Sequence, residues 1–304
     1  MNEQFGRYAS LILEKDTQGL DVSQLRFKFQ TTNNDLETPN TAVIRVYNCK
    51  ERDLKEFDTV TLDVGYENNH AVIFRGSIKQ VRLGKETNVD SFVEIMAADN
   101  DIGYNFGTVN MTLAAGITPQ QELKAYADAM GVTVDPDSEQ YLATGGILPN
   151  PRGKVAFGLA RSYMRDLAYT HNLRWTVENG VLYLIPVTGY LAGEAVKINS
   201  LTGMVGIPEA TDNGINVRVL LNPKIKIGRA IQLNNKDITQ TQIRDAFFPG
   251  YRTQTRVANV SNDGIYRVLV AEHTGDTRGG EWYTDIICLN IDISAPSQSA
   301  VAPA

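Results

Sequence analysis

Cysteine and histidine are scarce in this chain of 304 residues. Cys49 and Cys288 lie far apart, each in an apolar strand-like run, which favours two buried thiols in a reducing compartment over a disulfide or a metal pair. His70, His171 and His273 are each about a hundred residues from the next, so local spacing supplies no metal ligand set. The sequence therefore predicts no metal and no cofactor.

Long apolar runs are also missing. No uninterrupted run approaches the ~20 residues that cross a bilayer. The beginning of the sequence lacks a basic region followed by an apolar core, which a secretory signal would need. We therefore expect a chain that is made and kept soluble, without membrane insertion.

Positive charge is not concentrated anywhere in the sequence. The chain has 29 Lys+Arg against 35 Asp+Glu, a net charge of −6, and no run of five or six like charges. A protein that grips nucleic acid needs a local basic stripe for the phosphates. An acidic balance without such a stripe predicts that nucleic acid could slide past this protein without specific binding.

Catalytic motifs are absent as well. Neither G-x-S-x-G nor G-x-x-x-x-G-K-[ST] occurs, which excludes a nucleophile elbow and a phosphate loop of those types. One polar cluster could be read as an acid/base group. Its members are His273, Asp276, Arg278, Glu281 and Asp285. Glycines between them favour an ordinary polar hairpin loop, so we expect no enzyme.

Strand periodicity dominates the first third of the sequence. Alternating apolar residues at 60–66 indicate a half-buried strand, and a second apolar alternation at 72–78 follows a polar turn. The alternation slips between Ile78 and Val81, as a β-bulge requires. Further strands are predicted at Arg7 to Leu13, Leu25 to Gln30, Thr41 to Asn48 and Ser91 to Ala98. About six strands predict a small β-barrel at residues 1–104.

The middle of the chain changes to helical patterns. Thr118, Pro119 and Gln121 form a capping-box signal, and Gly131 supplies a helix stop. The prolines and glycines of 135–153 predict an irregular loop. A second helix is predicted from about Lys154 to Thr170, followed by a hairpin around an Asn-Gly turn at 179–180. These elements predict an α/β domain at residues 105–190.

Strand patterns return in the last third. Alternation at 215–221 and a turn at Asn222-Pro223 lead into apolar residues at 225–233, and two final strands flank residues 273–284. We expect a second β-barrel at 191–293 and a flexible tail at 294–304. The loops Asp135 to Gly153 and Asp245 to Thr253 are candidate interfaces with subunits or partners. The candidate contact residues in them are Pro149, Pro151, Phe247, Phe248 and Tyr251.

Several motifs in this order carry a family resemblance. They are Pro39-Asn40, Tyr47-Asn48, Gly65-Tyr66, Phe74-x-Gly76, Asn222-Pro223 with Gly228, and a closing hairpin with His273 and Trp282. This set resembles the central baseplate hub proteins of long-tailed bacteriophages, which are related to the hub part of type VI secretion spike proteins. One departure is Ile227, where the family pattern has proline.

The resemblance implies a mainly β chain with a small α/β part, in which an inserted α/β domain separates two similar antiparallel β-barrels. It implies a homotrimeric, pseudo-sixfold ring that adapts the hexameric tail tube to the trimeric central spike. Other baseplate proteins would be partners, and genomic DNA would pass without specific binding. The protein would be assembled in the bacterial cytoplasm and located in the virion tail baseplate.

Three alternatives stay open at this point. A hub of a phage-derived injection apparatus, such as a contractile bacteriocin or a type VI secretion spike, would share the same fold. A cell-wall-degrading or glycan-binding tail component would need a paired carboxylate or a zinc site in an open groove. A single-strand nucleic-acid barrel would show salt-dependent binding.

Overall fold

The computed structural model describes residues 5–50, 54–88, 90–143, 150–211, 214–234, 239–240 and 264–290. The strands are β1 (Arg7–Lys15), β2 (Gln18–Asp21), β3 (Phe27–Asn34), β4 (Thr41–Tyr47), β5 (Thr59–Tyr66), β6 (Asn69–Lys85), β7 (Ser91–Ala98), β8 (Thr108–Leu113), β9 (Thr133–Val134), β10 (Lys154–Leu159), β11 (Leu173–Glu178), β12 (Val181–Pro186), β13 (Val196–Ile198), β14 (Met204–Thr211), β15 (Gly214–Leu220), β16 (Ala230–Leu233), β17 (Thr239–Gln240), β18 (Ile265–Asp276) and β19 (Trp282–Leu289). The helices are α1 (Asp101–Phe106), α2 (Pro119–Met130), α3 (Pro136–Ala143) and α4 (Ala160–Thr170).

One sheet of 14 strands runs through most of the chain. It contains a first set in the order β3-β4-β7-β6-β5 and a second set in the order β14-β15-β19-β18-β16, and β18 pairs with β3 to join them. The prediction of a mainly β chain with a small α/β part is confirmed. Of the other described strands, β8 and β10 form a two-stranded sheet, and β9, β11 and β12 form a three-stranded sheet. The strands of the large sheet do not close into two separate barrels.

The hairpin of β5 and β6 is built as its alternation predicts. Val60, Leu62 and Val64 are fully buried, because every second side chain of a strand points to the same face. The predicted bulge is also present: the register of β6 against β7 shifts between Ile78 and Gln80. The shift lies just after Ser77, the residue opposite the start of β5 at Thr59, so the bulge coincides with the point where β6 leaves β5.

Helix α2 begins with the predicted capping box. The Thr118 hydroxyl accepts from the Gln121 backbone N–H at 3.3 Å, and the Gln121 side chain accepts from the Thr118 N–H at 3.0 Å. These bonds satisfy two N–H groups that a helix start leaves without partners. The helix ends at Gly131 in a left-handed conformation, as predicted.

The predicted helix from Lys154 is wrong over its first turns. Residues Lys154–Leu159 form β10, which pairs with the unpredicted strand β8, and the helix begins only at Ala160. The left-handed φ of 137° at Gly158 is incompatible with a helix at that position. Pairing with β8 supplies the backbone hydrogen bonds that the helix would have supplied.

Two further loop and strand predictions need correction. The loop predicted at 135–153 contains helix α3, which starts where the Asp135 carboxylate accepts from the Ser138 N–H at 3.0 Å. In the stretch predicted as strand from Ile225, only Ala230–Leu233 pairs as a strand. Ile225 is buried but follows the turn at 223–224 without joining a strand, because apolar burial alone does not require strand geometry.

The Asn-Gly hairpin is confirmed. Asn179 and Gly180 have φ values of 56° and 80°, the mirror-image turn that suits a two-residue hairpin. The hairpin of β11 and β12 packs with α2 and α4 in one hydrophobic cluster, and two other clusters lie under the first and second sets. Cys288 is buried as predicted, Cys49 is only half-buried, and neither forms a disulfide. The described helices include none long and apolar enough to span a bilayer.

Candidate functional site: the exposed face of the continuous sheet

Eight adjacent strands of the sheet expose one continuous face. In order these are β14, β15, β19, β18, β3, β4, β7 and β6. Their alternate side chains point into the hydrophobic clusters, and the remaining side chains form the exposed face, which we call the sheet face. Both sets contribute to it, so the sheet face crosses the junction between β18 and β3.

A carboxylate held by two arginines lies on the first set. Glu94 of β7 accepts from Arg45 of β4 at 2.7 Å and from Arg82 of β6 at 2.5 Å. Glu94 is only 1% exposed because the two guanidinium groups cover it. Burial opposes ionisation, but hydrogen bonds from both arginines bring the pKa of Glu94 below its ordinary value. The carboxylate is therefore ionised at neutral pH.

The second set has an ion pair at the corresponding position. Arg218 of β15 donates to Asp285 of β19 through two nitrogens, at 2.7 Å and 2.9 Å. Arg218 lies opposite Asp285 in the register, as Arg45 lies opposite Glu94. The next residue in this row is Glu272 of β18, so the second set has a carboxylate where the first set has Arg82.

The charges of the sheet face are balanced. Its cations are Lys28, Arg45, Arg82 and Arg218, and its carboxylates are Glu94, Glu209, Glu272, Asp276 and Asp285. Lys28 lies opposite Arg45, and Asp285 lies opposite Glu272, so cations and carboxylates are interspersed over the face and no basic row crosses it. A polyanion close to this face would meet no positive excess.

The first set is tied to the α/β part by a buried carboxylate. Asp99 follows β7, and its side chain accepts from the backbone N–H groups of Asn179 and Gly180 at the hairpin turn, the second at 3.2 Å. Burial raises the pKa of Asp99 to about 7, although the two N–H groups oppose the shift. Asn40 adds a second link, because its side chain donates to the Val177 carbonyl at 2.8 Å.

A family model described as Baseplate hub gp41 matches residues 30–237, more than half of the chain. The chain belongs to the baseplate hub gp41 family. This match spans the first set, the α/β part and the first half of the second set. The sequence-based recognition of a phage baseplate hub is therefore confirmed. No curated protein matches the sequence.

Solved structures share the fold of this hub protein at low sequence identity. The 43 kDa tail protein of prophage MuSo2 from Shewanella oneidensis aligns with a TM-score of 0.58 and 7% identity, over 93% of this chain and 98% of that chain. A tail protein from Neisseria meningitidis MC58 aligns with 0.57 and 7%, over 93% and 96%. An E. coli component of the type VI secretion system, similar in structure to the T4 bacteriophage tail proteins gp27 and gp5, aligns with 0.51 and 8%, over 87% and 73%.

The motif positions of the hub pattern lie mostly inside the fold. In the first set, β4 is preceded by Pro39 and Asn40 and ends at Tyr47, just before Asn48; β5 ends with Gly65 and Tyr66, and β6 contains Phe74 and Gly76. In the second set, the segment between β15 and β16 contains Asn222, Pro223 and Gly228, and the closing hairpin of β18 and β19 contains His273 and Trp282. Trp282 packs edge-on against Phe29 of the first set and donates to the Gly65 carbonyl at 3.3 Å. The second set thus inserts a side chain into the core below the first set.

The polar cluster around His273 is not brought together as a site. His273 is buried, with its ring bonded to the Thr284 hydroxyl at 2.8 Å, and burial lowers its pKa to about 4. Asp276 pairs with Arg26 at 2.7 Å, and Asp285 pairs with Arg218. Within the described ranges, no group of three or more His, Cys, Asp and Glu residues could hold a metal ion.

Only one of the candidate interface residues lies in the described part of the chain. Pro151 is exposed at the rim of a surface cleft of about 380 Å³ between the starts of α2 and β10 and the end of α4. The cleft contains the buried Glu122, which pairs with Lys154 at 2.9 Å. Pro149, Phe247, Phe248 and Tyr251 lie outside the described residues.

Sequence reasoning missed the row of ion pairs on the sheet face. A signal was present: Arg45 and Arg218 each interrupt an apolar strand at an outward position, and Glu94 and Asp285 do the same in the strands that become their neighbours. Pairing two charged residues requires the strand order, and β4 and β7 are far apart in the sequence.

Proposed function

We propose that this protein is the structural hub of a phage tail baseplate, and that three copies form a ring. In this ring the first and second sets alternate, so that six similar modules surround a channel. Such a ring fits a hexameric tail tube on one side and a trimeric central spike on the other. The division into a first barrel at 1–104, an α/β domain at 105–190, a second barrel at 191–293 and a tail at 294–304 is part of this proposal.

The repeated strand order is the observation that carries the proposal. One chain contains two five-strand sets with the same order and equivalent ion pairs at Arg45–Glu94 and Arg218–Asp285. Three copies of a chain that holds two similar modules present six similar surfaces to a sixfold partner.

The sheet face is our candidate for the channel wall. Genomic DNA is a dense line of negative charge, and a basic wall would hold it through its phosphates. The balanced charges of the sheet face support passage without specific binding. This role is structural, and it agrees with the use of His273, Asp276 and Asp285 in internal contacts.

The candidate interface residues would contact neighbouring subunits or other baseplate proteins in the assembled tail. Pro151 is exposed, as a contact residue must be. We extend the same proposal to Pro149, Phe247, Phe248 and Tyr251, on the basis of their turn-forming or apolar character.

Tube polymerisation tests the hub function. Purified tail tube protein from the same phage is polymerised alone and with a small molar fraction of this chain. A hub ring is a preformed sixfold template, so its addition should abolish the lag phase and mark one end of each tube in electron micrographs. An unchanged lag phase together with unmarked tube ends would contradict the hub function.

A hub of a phage-derived injection apparatus is the second candidate. The observation that favours it is the fold shared with the E. coli type VI secretion component. The two candidates differ in their genetic surroundings, since a phage hub is encoded beside capsid and terminase genes. Neighbouring genes for a sheath and an effector, without capsid genes, would favour the injection apparatus.

A further inference from the structure

The long strands β6 and β18 occupy the same place in the two sets, but only β18 is paired along both halves. Its first half, Ile265–Arg267, pairs with β16, and its second half, Val270–Asp276, pairs with Lys28–Asn34 of β3. In β6 the first half, Asn69–Ser77, pairs with β5. Among the described residues, the second half, Gln80–Lys85, has no strand on that side.

The two strands correspond residue by residue. Each shifts its register by one residue at the same place, after Ile78 in β6 and after Val268 in β18. The N–H of Ile78 donates to the Asp58 carbonyl at 2.8 Å, and the N–H of Val268 donates to the Arg229 carbonyl at 3.0 Å. This edge of β6, which no other described strand covers, is therefore the counterpart of the edge that β18 uses to bind β3.

Burial differs at the corresponding positions. His273 of β18 lies opposite Thr31 of β3 and is 2% exposed, whereas its counterpart in β6, Leu83, is 57% exposed. Ala271 is fully buried, and its counterpart Val81 is only half-buried. An apolar side chain on an open strand edge attracts another strand, and a soluble protein normally covers or charges such an edge.

We propose that Gln80–Lys85 of β6 pairs, antiparallel, with β14 from the second set of another copy of this chain. β14 occupies in the second set the place that β3 occupies in the first. The new junction would repeat between subunits the β18–β3 junction that exists within each subunit. This inference rests on the proposed ring and names the strands that close it.

The register of the junction follows from the residues that lie opposite one another on neighbouring strands. In the first set, Thr31 of β3 lies opposite Ala42 of β4, which lies opposite Ala97 of β7. In the second set, Ala210 of β14 lies opposite Ile215 of β15, which lies opposite Cys288 of β19. Ala97 and Cys288 are equivalent because they lie opposite Ile78 and Val268. Ala210 therefore takes the place of Thr31. Leu83 of one copy lies opposite Ala210 of the other.

Charge supports the same register. Within the chain, the Gln30 side chain donates to Glu272 across the β3–β18 junction. The counterparts at the junction between copies are Glu209 and Arg82, which have opposite charges. An ion pair between Arg82 and Glu209 across the junction between copies would correspond to the Gln30–Glu272 hydrogen bond within the chain.

The junction also determines how the copies are arranged. The two surfaces, on β6 and β14, are different, so the contact is head-to-tail and each copy binds one neighbour on each side. Within one copy, Glu209 and Ala210 pair with the two-residue strand β17. Association exchanges this short parallel pairing for a longer antiparallel one. Three copies then close a ring of six junctions, alternately within and between chains.

Cysteine crosslinking tests the register. The double variant Leu83→Cys with Ala210→Cys places two thiols opposite each other across the junction, within the spacing that a disulfide spans. Mild oxidation should give covalent dimers and trimers of the full chain on a denaturing gel. The matched control is Leu36→Cys with Ala210→Cys, because Leu36 is exposed to a similar degree, 55%, but lies away from the β6 edge.

A charged substitution on the edge of β6 tests the same junction without crosslinking. Leu83→Asp buries a carboxylate against Ala210 of the partner, so we expect the dissociation constant of the assembly to rise at least tenfold. Leu36→Asp should leave association unchanged. Circular dichroism and urea unfolding of both variants at low concentration should match the parent, because both side chains are exposed in the single chain.

The outcomes separate this inference from the proposed function. Crosslinks confined to the 83–210 pair, together with weakened association of Leu83→Asp, are the expected result. A chain that forms trimers without this crosslink, and whose assembly tolerates Leu83→Asp, overturns the inferred junction and leaves the hub function standing. A chain that is monomeric at every concentration overturns both.

Discussion

Glu94 is the most enclosed carboxylate of the sheet face, and we expect its replacement to lower the stability of the fold. The variant Glu94→Gln leaves Arg45 and Arg82 without the charge between them. We expect the free energy of unfolding to fall by about 1–3 kcal/mol at pH 7, since a buried partner of two charged groups is lost. Because the pKa of Glu94 is lowered in the fold, this difference should shrink as the pH falls below the ordinary range of glutamate.

The second set supplies the matched control for Glu94. Asp285 takes the corresponding position, but its side chain is 33% exposed and it faces one arginine. Asp285→Asn should therefore change the free energy of unfolding by less than about 1 kcal/mol. Urea unfolding of the two variants at pH 7 measures both values. Equal losses would show that enclosure between two arginines does not determine the strength of the pairing.

The buried carboxylate of Asp99 should make the stability of the fold depend on pH. Its pKa is raised from an ordinary value of 3.8 to about 7 because it is buried, so the fold binds this proton more tightly than the unfolded chain. The resulting stabilisation is fully present below the unfolded pKa and is lost as the pH rises through about 7. Asp99→Asn removes the titration. We expect the variant to gain up to about 1.4 kcal/mol per pH unit relative to the parent between pH 5 and 7.

Urea unfolding at pH 5, 6, 7 and 8 measures this difference. Asp128→Asn, which replaces an exposed carboxylate on α2, is the control for the loss of a surface charge. A constant difference between Asp99→Asn and the parent across this range would mean that Asp99 titrates at its ordinary pKa.

At the scale of elements, the hairpin turn at Asn179-Gly180 offers a clean backbone test. Gly180 has a φ of 80° and no atom close to where a Cβ would lie, so Gly180→Ala introduces strain without a clash. We expect a loss of about 1–2 kcal/mol in the free energy of unfolding. Gly19→Ala, also in open space but without a positive φ, should change it by less than about 0.5 kcal/mol. Equal effects would exclude backbone strain as the cause.

Local signals predicted most elements, because those elements are determined by adjacent residues. The capping box at Thr118 and the Asn-Gly turn act through hydrogen bonds and φ angles within a few residues. The start of α3 has a related signal, Asp135 before Pro136, and it was hidden by the prolines and glycines that follow it. The sequence therefore contains the signal for the start of α3, and the prediction of an irregular loop at this position is wrong.

The strands β8 and β10 show what the sequence could not determine. The apolar residues of Lys154–Leu159 fit a helical stripe or a strand, and their choice depends on a partner strand more than forty residues away in the chain. The β18–β3 junction has the same character, since its two strands lie near opposite ends of the sequence. Long-range pairing decides such elements, and it also decides which charges meet on the sheet face.

For the whole molecule, the two sets are the feature on which the proposed ring and its sixfold partner depend. The sequence predicts two separate barrels, whereas the described strands place both sets, with one shared strand order, in a single continuous sheet. The join places Trp282 of the second set in the core below the first set, so neither set is independent of the other. Separate closed barrels would have left the sheet face interrupted at the junction.

Native mass measurement of the purified chain, followed by electron-microscope imaging of the same sample, tests the central claim most directly. The account predicts a species of three times 33.6 kDa that appears in end-on views as a six-lobed ring around a central hole. A monomer at all concentrations, or an assembly whose end-on views lack six similar lobes around a hole, would contradict it.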